Sequence, residues 1–328
     1  MMPDRIIRDT IHSAAELLRA GGTVAFPTET VYGLGADATN PLALRAVFEI
    51  KGRPADHPLI VHIADASHLP EWAQDIPDGA WRLAAAFWPG PLTLILRRCD
   101  PVLNEITGGQ DTVGLRVPNH AVATDLLRVF GRAIAAPSAN RFGRVSPTTA
   151  QHVRDELGSR VGMILDGGPC QVGVESTIVS LAYGQATLLR PGGIPVAAIE
   201  DVLQQKLALT QTTGCEVRVP GALGAHYAPA TPFELHLSDA LWHRAGQLTA
   251  QGRKVAVLTF GRVGDCIARS GFAYVPMPSL ANEYAHVLYA TLHRLDQAGF
   301  DHLLAEAPPD TGPWFTVRDR LGRAARGA

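Results

Sequence analysis

Cysteine and aromatic residues are scarce in this sequence, and neither sign of charge dominates it. The 328 residues include four cysteines, 6% aromatic residues, and 29 Lys and Arg against 31 Asp and Glu, for a formal net charge of -2. The cysteines are widely spaced and form no Cys-x-x-Cys pair, which predicts reduced thiols rather than a disulfide or zinc framework. Proteins that hold bare nucleic acid through its phosphates are usually more basic, so the charge balance disfavours that class.

Long apolar runs are also missing. No run reaches the length of a membrane-spanning helix, and the first five residues lack the charged, apolar and small segments of a secretory leader. The hydrophobic content of 46% is typical of a globular protein. The chain length predicts one large or two medium domains, and we expect a cytoplasmic protein.

Several motifs that identify common enzyme classes are absent or incomplete. No G-x-x-x-x-G-K-[ST] phosphate loop occurs, so a bound triphosphate needs another cradle. The run GLGADA from Gly33 resembles a G-x-G-x-x-A dinucleotide turn only loosely, which is weak support for a nicotinamide site. Ser138 lacks a G-x-S-x-G elbow, and His57 and His62 have no cysteine or carboxylate cluster nearby. A hydrolase triad and a structural zinc site are therefore unsupported.

Segments with strand and helix character alternate through the first two hundred residues. Helices are predicted at 13–20, 41–51, 79–88, 120–130, 148–157 and 196–207, and strands at 22–26, 59–63, 93–96, 113–117, 133–136, 176–181 and 187–189. This alternation predicts an α/β domain. After a stretch rich in Thr, Gly and Pro, strands at 254–260 and 302–305 flank a helix at 281–298, which predicts a small Rossmann-like second domain.

The stretch PTETVYGLG from Pro27 places polar side chains where a buried strand ends. Pro27 removes a ladder donor and so ends the strand. The oxygens of Thr28, Glu29 and Thr30 are suited to binding a ligand, and the glycines after them let a ligand approach the backbone. Taken alone, the stretch is explained equally well as an ordinary hydroxyl-rich turn.

Four further polar groups lie at predicted strand ends or loop starts of the same domain. They are Lys51-Gly52-Arg53 with His57 and His62, Thr112 to Arg116, Ser138 to Asn140 with Ser146, and Glu175-Ser176-Thr177 with Arg190. Together with the stretch from Pro27, these groups contain four cations, which are opposed only by Glu29 and Glu175. The cations are Lys51, Arg53, Arg116 and Arg190. Arginine offers a planar fork to carboxylate or phosphate, and lysine offers a mobile point charge. This balance predicts a ligand with several negative charges, such as a triphosphate together with a carboxylate.

The order and spacing of these segments resemble those of threonylcarbamoyl-AMP synthases of the YrdC-like class. The matching segments are PTETVYGLG from Pro27, KGRP from Lys51, WPGPLT from Trp88, GLRVP from Gly114, PSAN from Pro137 and STIV from Ser176. They span roughly residues 10 to 205. The segment HYAP from His226 and the residues after it resemble the longer, two-domain form.

The resemblance implies an α/β chain with a YrdC-like twisted-sheet catalytic domain over 1–208, a linker or lid over 209–230, and a smaller C-terminal Rossmann-like domain over 231–328. It implies a nucleotidyltransferase that forms threonylcarbamoyl-AMP and pyrophosphate from L-threonine, bicarbonate or carbon dioxide, and ATP, with Mg²⁺ on the nucleotide. The product would pass to the threonylcarbamoyl transferase machinery that modifies tRNA. Weak RNA binding is a further implied property, and no membrane partner is expected.

The resemblance also implies roles for individual residues. The threonine site would contain Thr30, His62, Arg116, Ala136 and Ser176, with Arg116 on the substrate carboxylate. The ATP site would contain Lys51, Arg53, His57, Thr112, Ser138, Asn140, Ser146, Arg190 and Tyr227. Charge stabilisation during catalysis would fall to Lys51, Arg53 and Arg116.

One segment departs from the family pattern, and two other functions remain open. The run PGALGAHY from Pro220 has His226 as its one basic residue, so a lid here, including Tyr227, would contribute little charge. A non-catalytic RNA-binding protein with a YrdC-like fold is the first alternative, disfavoured by the charge balance and by the lack of stacking aromatics beside the cations. A carbamoyl-transfer enzyme of hydrogenase maturation is the second, disfavoured because no acylphosphatase or cysteine-rich segment precedes the domain.

Overall fold

The computed structural model describes residues 4–209, 217–221, 226–260 and 271–327. These residues form two compact units, the first made of 4–142 and 147–221 and the second of 143–146 and 226–327. The predicted linker over 209–230 is thus divided, because 217–221 group with the first unit and 226–230 with the second. The prediction that a lid here contributes little charge rests partly on 222–225, and these residues lie outside the described ones.

A mixed sheet of eleven strands organises the described part of the first unit. Ten strands follow the order β11-β10-β9-β5-β6-β3-β7-β2-β1-β8, and β4 pairs with β5. The strands are β1 (Val24–Phe26), β2 (Gly33–Asp37), β3 (Ile60–His62), β4 (Ala73–Gln74), β5 (Leu92–Arg98), β6 (Thr112–Arg116), β7 (Ile134–Ala135), β8 (Met163–Ile164), β9 (Thr177–Ser180), β10 (Thr187–Arg190) and β11 (Ala208–Leu209). The predicted mixed α/β class is confirmed.

Helices pack on this sheet and begin and end at recognisable signals. They are α1 (Asp4–Arg19), α2 (Pro41–Lys51), α3 (Leu69–Trp72), α4 (Asp78–Phe87), α5 (Asn104–Thr107), α6 (Ala121–Phe130), α7 (Ala150–Leu157) and α8 (Val196–Leu203). The side chain of Asn40 caps α2 by accepting the N–H groups of Leu42 and Ala43. Gly52 ends α2 in the left-handed conformation, with φ of 61°.

The two faces of the sheet differ in character, as strand β6 shows. Val113 and Leu115 point into the main hydrophobic core of the unit. Because successive side chains of a strand alternate, Thr112, Gly114 and Arg116 share the opposite face. That second face carries a smaller apolar cluster that includes Ile60, Ile95, Ile178 and Val219. We call it the polar face, because the predicted site residues lie on it.

The second unit is built on a four-stranded parallel sheet. Its strands β12 (Phe233–His236), β13 (Val255–Phe260), β14 (Ala273–Met277) and β15 (His302–Glu306) have the order β12-β15-β13-β14. Its helices are α9 (Ser238–Ala250), α10 (Ala281–Asp296) and α11 (Phe315–Ala325). The predicted small second domain is therefore an α/β unit with a four-stranded parallel sheet. The sequence prediction did not include four of its elements, which are β12, β14, α9 and α11.

Two local predictions in the first unit were wrong. The helix predicted to begin at residue 13 begins at Asp4, so Ser13 lies inside α1 and its hydroxyl donates to the carbonyl of Asp9 at 3.0 Å. The run from Gly33, which resembles a dinucleotide turn only loosely, forms strand β2. A Cβ at Gly35 would lie 2.7 Å from side-chain atoms of Ile134 and Phe26, so the glycine there serves packing. Helix α8 ends at Leu203, because Gln204 adopts a positive φ of 56°.

Candidate active site

The register of the sheet brings several predicted residues onto the polar face. His62 on β3 pairs with Arg116 on β6, and the N–H of Ala136 donates to the carbonyl of Ile60 on β3. On the other side of β6, Ile95 of β5 pairs with Gly114, which places Thr93 beside Arg116. The hydroxyl of Thr93 lies 2.8 Å from that of Ser176. Four of the five residues predicted for threonine therefore lie along neighbouring strands.

The fifth, Thr30, sits in the loop between β1 and β2, which one side chain holds in shape. The hydroxyl of Thr28 donates to the carbonyl of Val31 at 2.7 Å and accepts the N–H groups of Thr30 and Val31. It also lies 2.8 Å from the hydroxyl of Thr30. All of these residues are buried. The loop is therefore a fixed element in which the position of the Thr30 hydroxyl is set by its neighbours.

A buried ion pair lies at the end of β6. A guanidinium nitrogen of Arg116 is 2.7 Å from a carboxylate oxygen of Glu29, and both side chains are at most 5% exposed. The other carboxylate oxygen of Glu29 accepts the N–H of Asn119 at 3.0 Å, and Nε of Arg116 donates to the carbonyl of Gly90 at 3.3 Å. Arg116 is one of the four cations counted in the sequence. It points away from the main core, but it is buried and paired.

His62 is a neutral imidazole next to this pair. Its ring packs edge-on against Phe26 with the centroids 5.8 Å apart, and the residue is buried. Burial and, to a smaller degree, the charge of Arg116 lower the pKa of His62 to about 3. An imidazole in this state is unprotonated near neutral pH, so it contributes shape and hydrogen bonding rather than positive charge.

Lys51 is held by the backbone of the loop that follows β7. Its ammonium group donates to the carbonyl of Ser138 at 2.5 Å and to the carbonyl of Asn140. The side chain is buried, and burial followed by the charge of Arg53 lowers its pKa well below the ordinary value. Strand β2 holds the same loop through a backbone bridge between Gly33 and Ser138. Lys51 therefore fixes the loop that carries two predicted ATP residues, and its predicted contact with phosphate stays a prediction.

The remaining predicted residues near Lys51 follow the end of α2. Arg53 is buried and donates to the carbonyl of Pro58 at 2.8 Å. The imidazole of His57 packs edge-on against Phe142 with the centroids 5.3 Å apart. Burial and the charge of Arg53 lower the pKa of His57. Thr112 begins β6 and is buried.

A chain of hydrogen bonds joins Ser176 to the segment 217–221. Arg190 donates from Nη2 to the hydroxyl of Ser176 at 3.1 Å and to its carbonyl at 2.8 Å. Its Nη1 donates to the carbonyl of Pro220 at 2.9 Å. Val219 is buried in the apolar cluster of the polar face, and Arg218 forms an ion pair with Asp56 at 3.0 Å. The segment 217–221 thus lies on the polar face of the first unit.

Two of the predicted ATP residues belong to the second unit. Ser146 accepts a hydrogen bond at its carbonyl from His293 if that ring nitrogen is protonated, at 3.1 Å. Tyr227 adopts a positive φ of 65°, stacks on Tyr289 and carries the guanidinium of Arg320 5.1 Å above its ring. Their contact with ATP stays a prediction.

Sequence reasoning missed some of the residues that shape the polar face. Glu29 was identified as a polar residue, but its pairing with Arg116, 87 positions along the chain, needs the fold. Thr93 was not predicted, because it lies in an otherwise apolar strand. It ends the WPGPLT segment, and that position is a signal that could have identified it. The role of 217–221 was hidden in a stretch whose composition is that of a linker.

The donor set of the described residues does not suit a protein-held metal ion. Nowhere in the described ranges do three or more His, Cys, Asp or Glu side chains converge as metal ligands. Glu29, the acidic residue at the end of β6, is engaged by Arg116. The helices that the structure describes include none that is both long and apolar enough to cross a membrane.

Comparison with known proteins gives full-length similarity. The family model of the Sua5, YciO and YrdC proteins, described as telomere recombination, matches residues 16–192. A model described as the C-terminal domain of threonylcarbamoyl-AMP synthase matches residues 194–326. The chain is 40% identical to the threonylcarbamoyl-AMP synthase of Pyrococcus abyssi, covering 98% of this chain and 96% of the relative. It is 41% identical to that of Bacillus subtilis, covering 97% and 93%.

Solved structures give the same result. The structure of Pyrococcus abyssi Sua5 complexed with L-threonine matches with a TM-score of 0.88 and 38% identity, over 98% of this chain and 95% of the other. Escherichia coli YciO matches 56% of this chain with a TM-score of 0.50 and 25% identity.

Proposed function

The chain belongs to the family of threonylcarbamoyl-AMP synthases, and from the geometry of its polar face we propose the reaction in detail. The protein joins L-threonine, carbon dioxide from bicarbonate, and ATP into threonylcarbamoyl-AMP and pyrophosphate. It is thus a nucleotidyltransferase. The observation that carries the proposal is the assembly of Arg116, His62, Ala136 and Ser176 on one face of the sheet. The loop that holds Thr30 is joined to this face by the ion pair of Glu29 with Arg116.

The threonine site is proposed around the end of β6. The substrate carboxylate binds the guanidinium of Arg116, which Glu29 holds in place on its other side. The hydroxyls of Thr30 and Ser176 and the neutral imidazole of His62 contact the polar groups of the substrate. The small side chain of Ala136 leaves room beside them. The L-threonine complex of Sua5 from Pyrococcus abyssi, which has the same fold at 38% identity, supports this assignment.

The ATP site is proposed over the loop that Lys51 fixes. Arg53, His57, Thr112, Ser138, Asn140 and Arg190, all of the first unit, are the residues assigned to it. Burial lowers the pKa of Lys51 and so favours its neutral form. A bound phosphate favours the charged form, so Lys51 adds positive charge beneath the loop when the nucleotide is bound. Arg190 is anchored by the backbone of Ser176 and Pro220.

The chemistry needs positioning more than acid–base catalysis. The threonine amine, in its neutral form, attacks carbon dioxide. An N–C bond forms as one C=O π bond of carbon dioxide opens onto oxygen, and the nitrogen loses a proton to solvent to give a carbamate. A carbamate oxygen then attacks the α-phosphorus of ATP, the bond from that phosphorus to the bridging oxygen breaks, and pyrophosphate leaves with the bonding electrons. Carbamates decompose in water, so a buried face that holds both reactants favours the second step. The cations stabilise the charge that develops on the phosphate.

Mg²⁺ is proposed to arrive with the nucleotide. The described side chains do not form a metal cage, and Mg²⁺ commonly keeps phosphate and water ligands rather than an all-protein site. When bound, the ion neutralises charge on the phosphates.

The matches favour the synthase over both alternatives. The alignments with two relatives named as synthases cover 96% and 93% of the relatives' lengths and include both units of this chain. A structure of full-length HypF shares the fold of 59% of this chain at 18% identity, but only 33% of its own length is covered. A cytoplasmic location is part of the proposal, and the product, an activated acyl-adenylate, is proposed to supply the machinery that modifies tRNA.

Product identification tests the proposal. The purified protein is incubated with ATP, L-threonine, Mg²⁺ and ¹³C-bicarbonate, and the nucleotides are separated at once by mass spectrometry. We expect a threonine adduct of AMP that carries one ¹³C atom, and we expect Arg116→Gln to form it more slowly than the wild type at the same threonine concentration. An unlabelled adduct, or AMP without an adduct, would contradict the proposed order of bonds.

A further inference from the structure

A cavity that is open to solvent lies in the first unit, apart from the residues assigned to threonine and ATP. It has a volume of about 330 Å³ and is lined by residues of the segment 63–72, of the end of α6 and of 131–133. This volume is at the lower end of the range for small-molecule sites. None of its lining residues belongs to the proposed active site.

The floor of the cavity is apolar. Ile63, Trp72 and Leu127 line it, and each is at most 8% exposed. Ala64 and Ala133 add small side chains that leave the space open. A ligand with an apolar body of a few carbon atoms fits this floor.

The two walls carry opposite charges. Asp65 and Glu71 belong to the segment before and within α3, whereas Arg128 and Arg132 come from the end of α6 and the turn after it. Arg132 is paired with Asp37 at 3.0 Å, and Asp65 caps a short 3₁₀ helix through the N–H of Ser67. Glu71 and Arg128 are exposed, and within the described ranges neither takes part in an ion pair. The pKa of Asp65 is lowered by its hydrogen bond from Ser67 and, to a smaller degree, by the charge of Arg128. The lining of the cavity therefore combines acidic and basic side chains with apolar ones.

His68 adds a polar atom that lacks a partner. The residue lines the cavity, and its Nε2 atom is buried without a hydrogen bond to any residue that the structure describes. Buried polar atoms in proteins are nearly always paired. A ligand in the cavity that offers a polar group to this nitrogen would remove the cost of leaving it unpaired.

We propose that this cavity is a binding site for a free α-amino acid with an apolar side chain. Its ammonium group binds the acidic wall at Glu71, its carboxylate binds the basic wall at Arg128, and its side chain covers Ile63 and Trp72. His68 completes the polar contacts. The site is separate from the threonine site, where Arg116 is the cation and hydroxyl groups replace the apolar floor.

Calorimetric titration with L-leucine tests the proposal directly. The full-length protein is first saturated with L-threonine, so that the active site is occupied. We expect one equivalent of L-leucine to bind, and we expect leucinamide and isocaproate, which each lack one of the two charges, to bind at least about tenfold more weakly.

Substitutions then place the site. Glu71→Gln and Arg128→Gln should each weaken L-leucine binding at least about tenfold, and Ala64→Phe should abolish it by filling the cavity. Asp125→Asn is the matched control, because Asp125 is an exposed charge on the same helix as Arg128 but does not line the cavity. Thermal unfolding shows that each variant is folded.

Two results would overturn the inference. One is the absence of any heat from L-leucine or from L-phenylalanine up to millimolar concentration. The other is binding that Glu71→Gln and Arg128→Gln leave unchanged while both variants are folded, because the ligand would then lie elsewhere.

Discussion

At the scale of single residues, burial rather than charge count decides what the candidate site can do. The sequence shows four cations near the site, but the structure shows that Lys51 is bound to carbonyls and Arg116 to a carboxylate. His62, which composition alone cannot distinguish from a surface histidine, is held neutral by its surroundings. The charged side chains are therefore held in position before substrate binds. Charge that is already in position stabilises a transition state without rearrangement of the site.

The low pKa of His62 predicts an acid-sensitive fold. Its pKa is about 3 in the folded protein against 6.5 for the ordinary value. Between these pH values the unfolded chain binds a proton that the folded chain does not, so stability from this group is full above pH 6.5 and is lost as the pH falls. We expect the free energy of unfolding to drop by about 2 kcal/mol between pH 7 and pH 5 through this residue.

Urea unfolding of wild type and His62→Gln at pH 7 and pH 5 measures this effect. The variant should lose less stability than the wild type over the same interval. His12→Gln, at an exposed position of α1, is the control and should follow the wild type. An equal pH dependence in wild type and His62→Gln would show that the fold does not lower the pKa of His62.

The pair of Glu29 and Arg116 predicts strong coupling between two substitutions. Glu29→Gln leaves a buried guanidinium without its partner, which costs about 3–5 kcal/mol of stability. Because the uncompensated charge is the main cost, the double variant Glu29→Gln with Arg116→Gln should be more stable than the sum of the single effects predicts. Thermal unfolding of the four proteins measures the coupling, and additive effects would show that the two side chains do not interact.

At the scale of elements, the loop after β7 and the segment 217–221 shape the polar face. The loop carries Ser138 and Asn140 and is fixed at three points, by Lys51, by the bridge from Gly33 and by a hydrogen bond from the N–H of Leu34 to the carbonyl of Pro137. The segment 217–221 is fixed by Val219 and by the ion pair of Arg218 with Asp56.

Replacing the ammonium group beneath the loop tests its role. Lys51→Met keeps the length of the side chain but leaves two buried carbonyls without their donor, so we expect a loss of about 1–3 kcal/mol in stability. We also expect the KM for ATP to rise about tenfold while the KM for threonine changes less. Lys206→Met removes an exposed lysine and should have neither effect. An unchanged KM for ATP would separate Lys51 from nucleotide binding.

Disturbing the segment 217–221 tests whether it matters for turnover. Val219→Asp places a carboxylate among Ile60, Ile95 and Ile178, so the segment should leave the apolar cluster. We expect kcat/KM for ATP to fall about tenfold, with Val219→Ile as the conservative control. Steady-state kinetics that are equal in all three proteins would show that the segment is a tether without a part in catalysis.

Element by element, the sequence predicted what depends on near neighbours and missed what depends on distant ones. The Asn40 cap, the apolar strand at 255–260 and the helix at 281–296 carry their signals locally. Strand β2 does not, because its glycines resemble a turn until Phe26 and Ile134 are placed against them. The position of 217–221 and the pairing of Glu29 with Arg116 likewise follow from the sheet order, which no local pattern contains.

At the scale of the whole molecule, two units with separate cores support one family assignment. The first unit has a core beneath its sheet, and the second has its own apolar cluster between α9 and its strands. The resemblance identified from sequence segments is confirmed by family models that match both regions and by relatives at about 40% identity. The roles of the individual site residues and of Mg²⁺ stay predictions.

The most direct test of the central claim is pyrophosphate release from ATP by the purified protein, with L-threonine and bicarbonate omitted in turn. The proposed reaction predicts release that requires both. The attacking carbamate joins the nitrogen of L-threonine to the carbon of bicarbonate, so it does not form when either is missing. It also predicts that Arg116→Gln lowers the rate by raising the KM for threonine. Release that proceeds with neither substrate, or no release when both are present, would contradict the account.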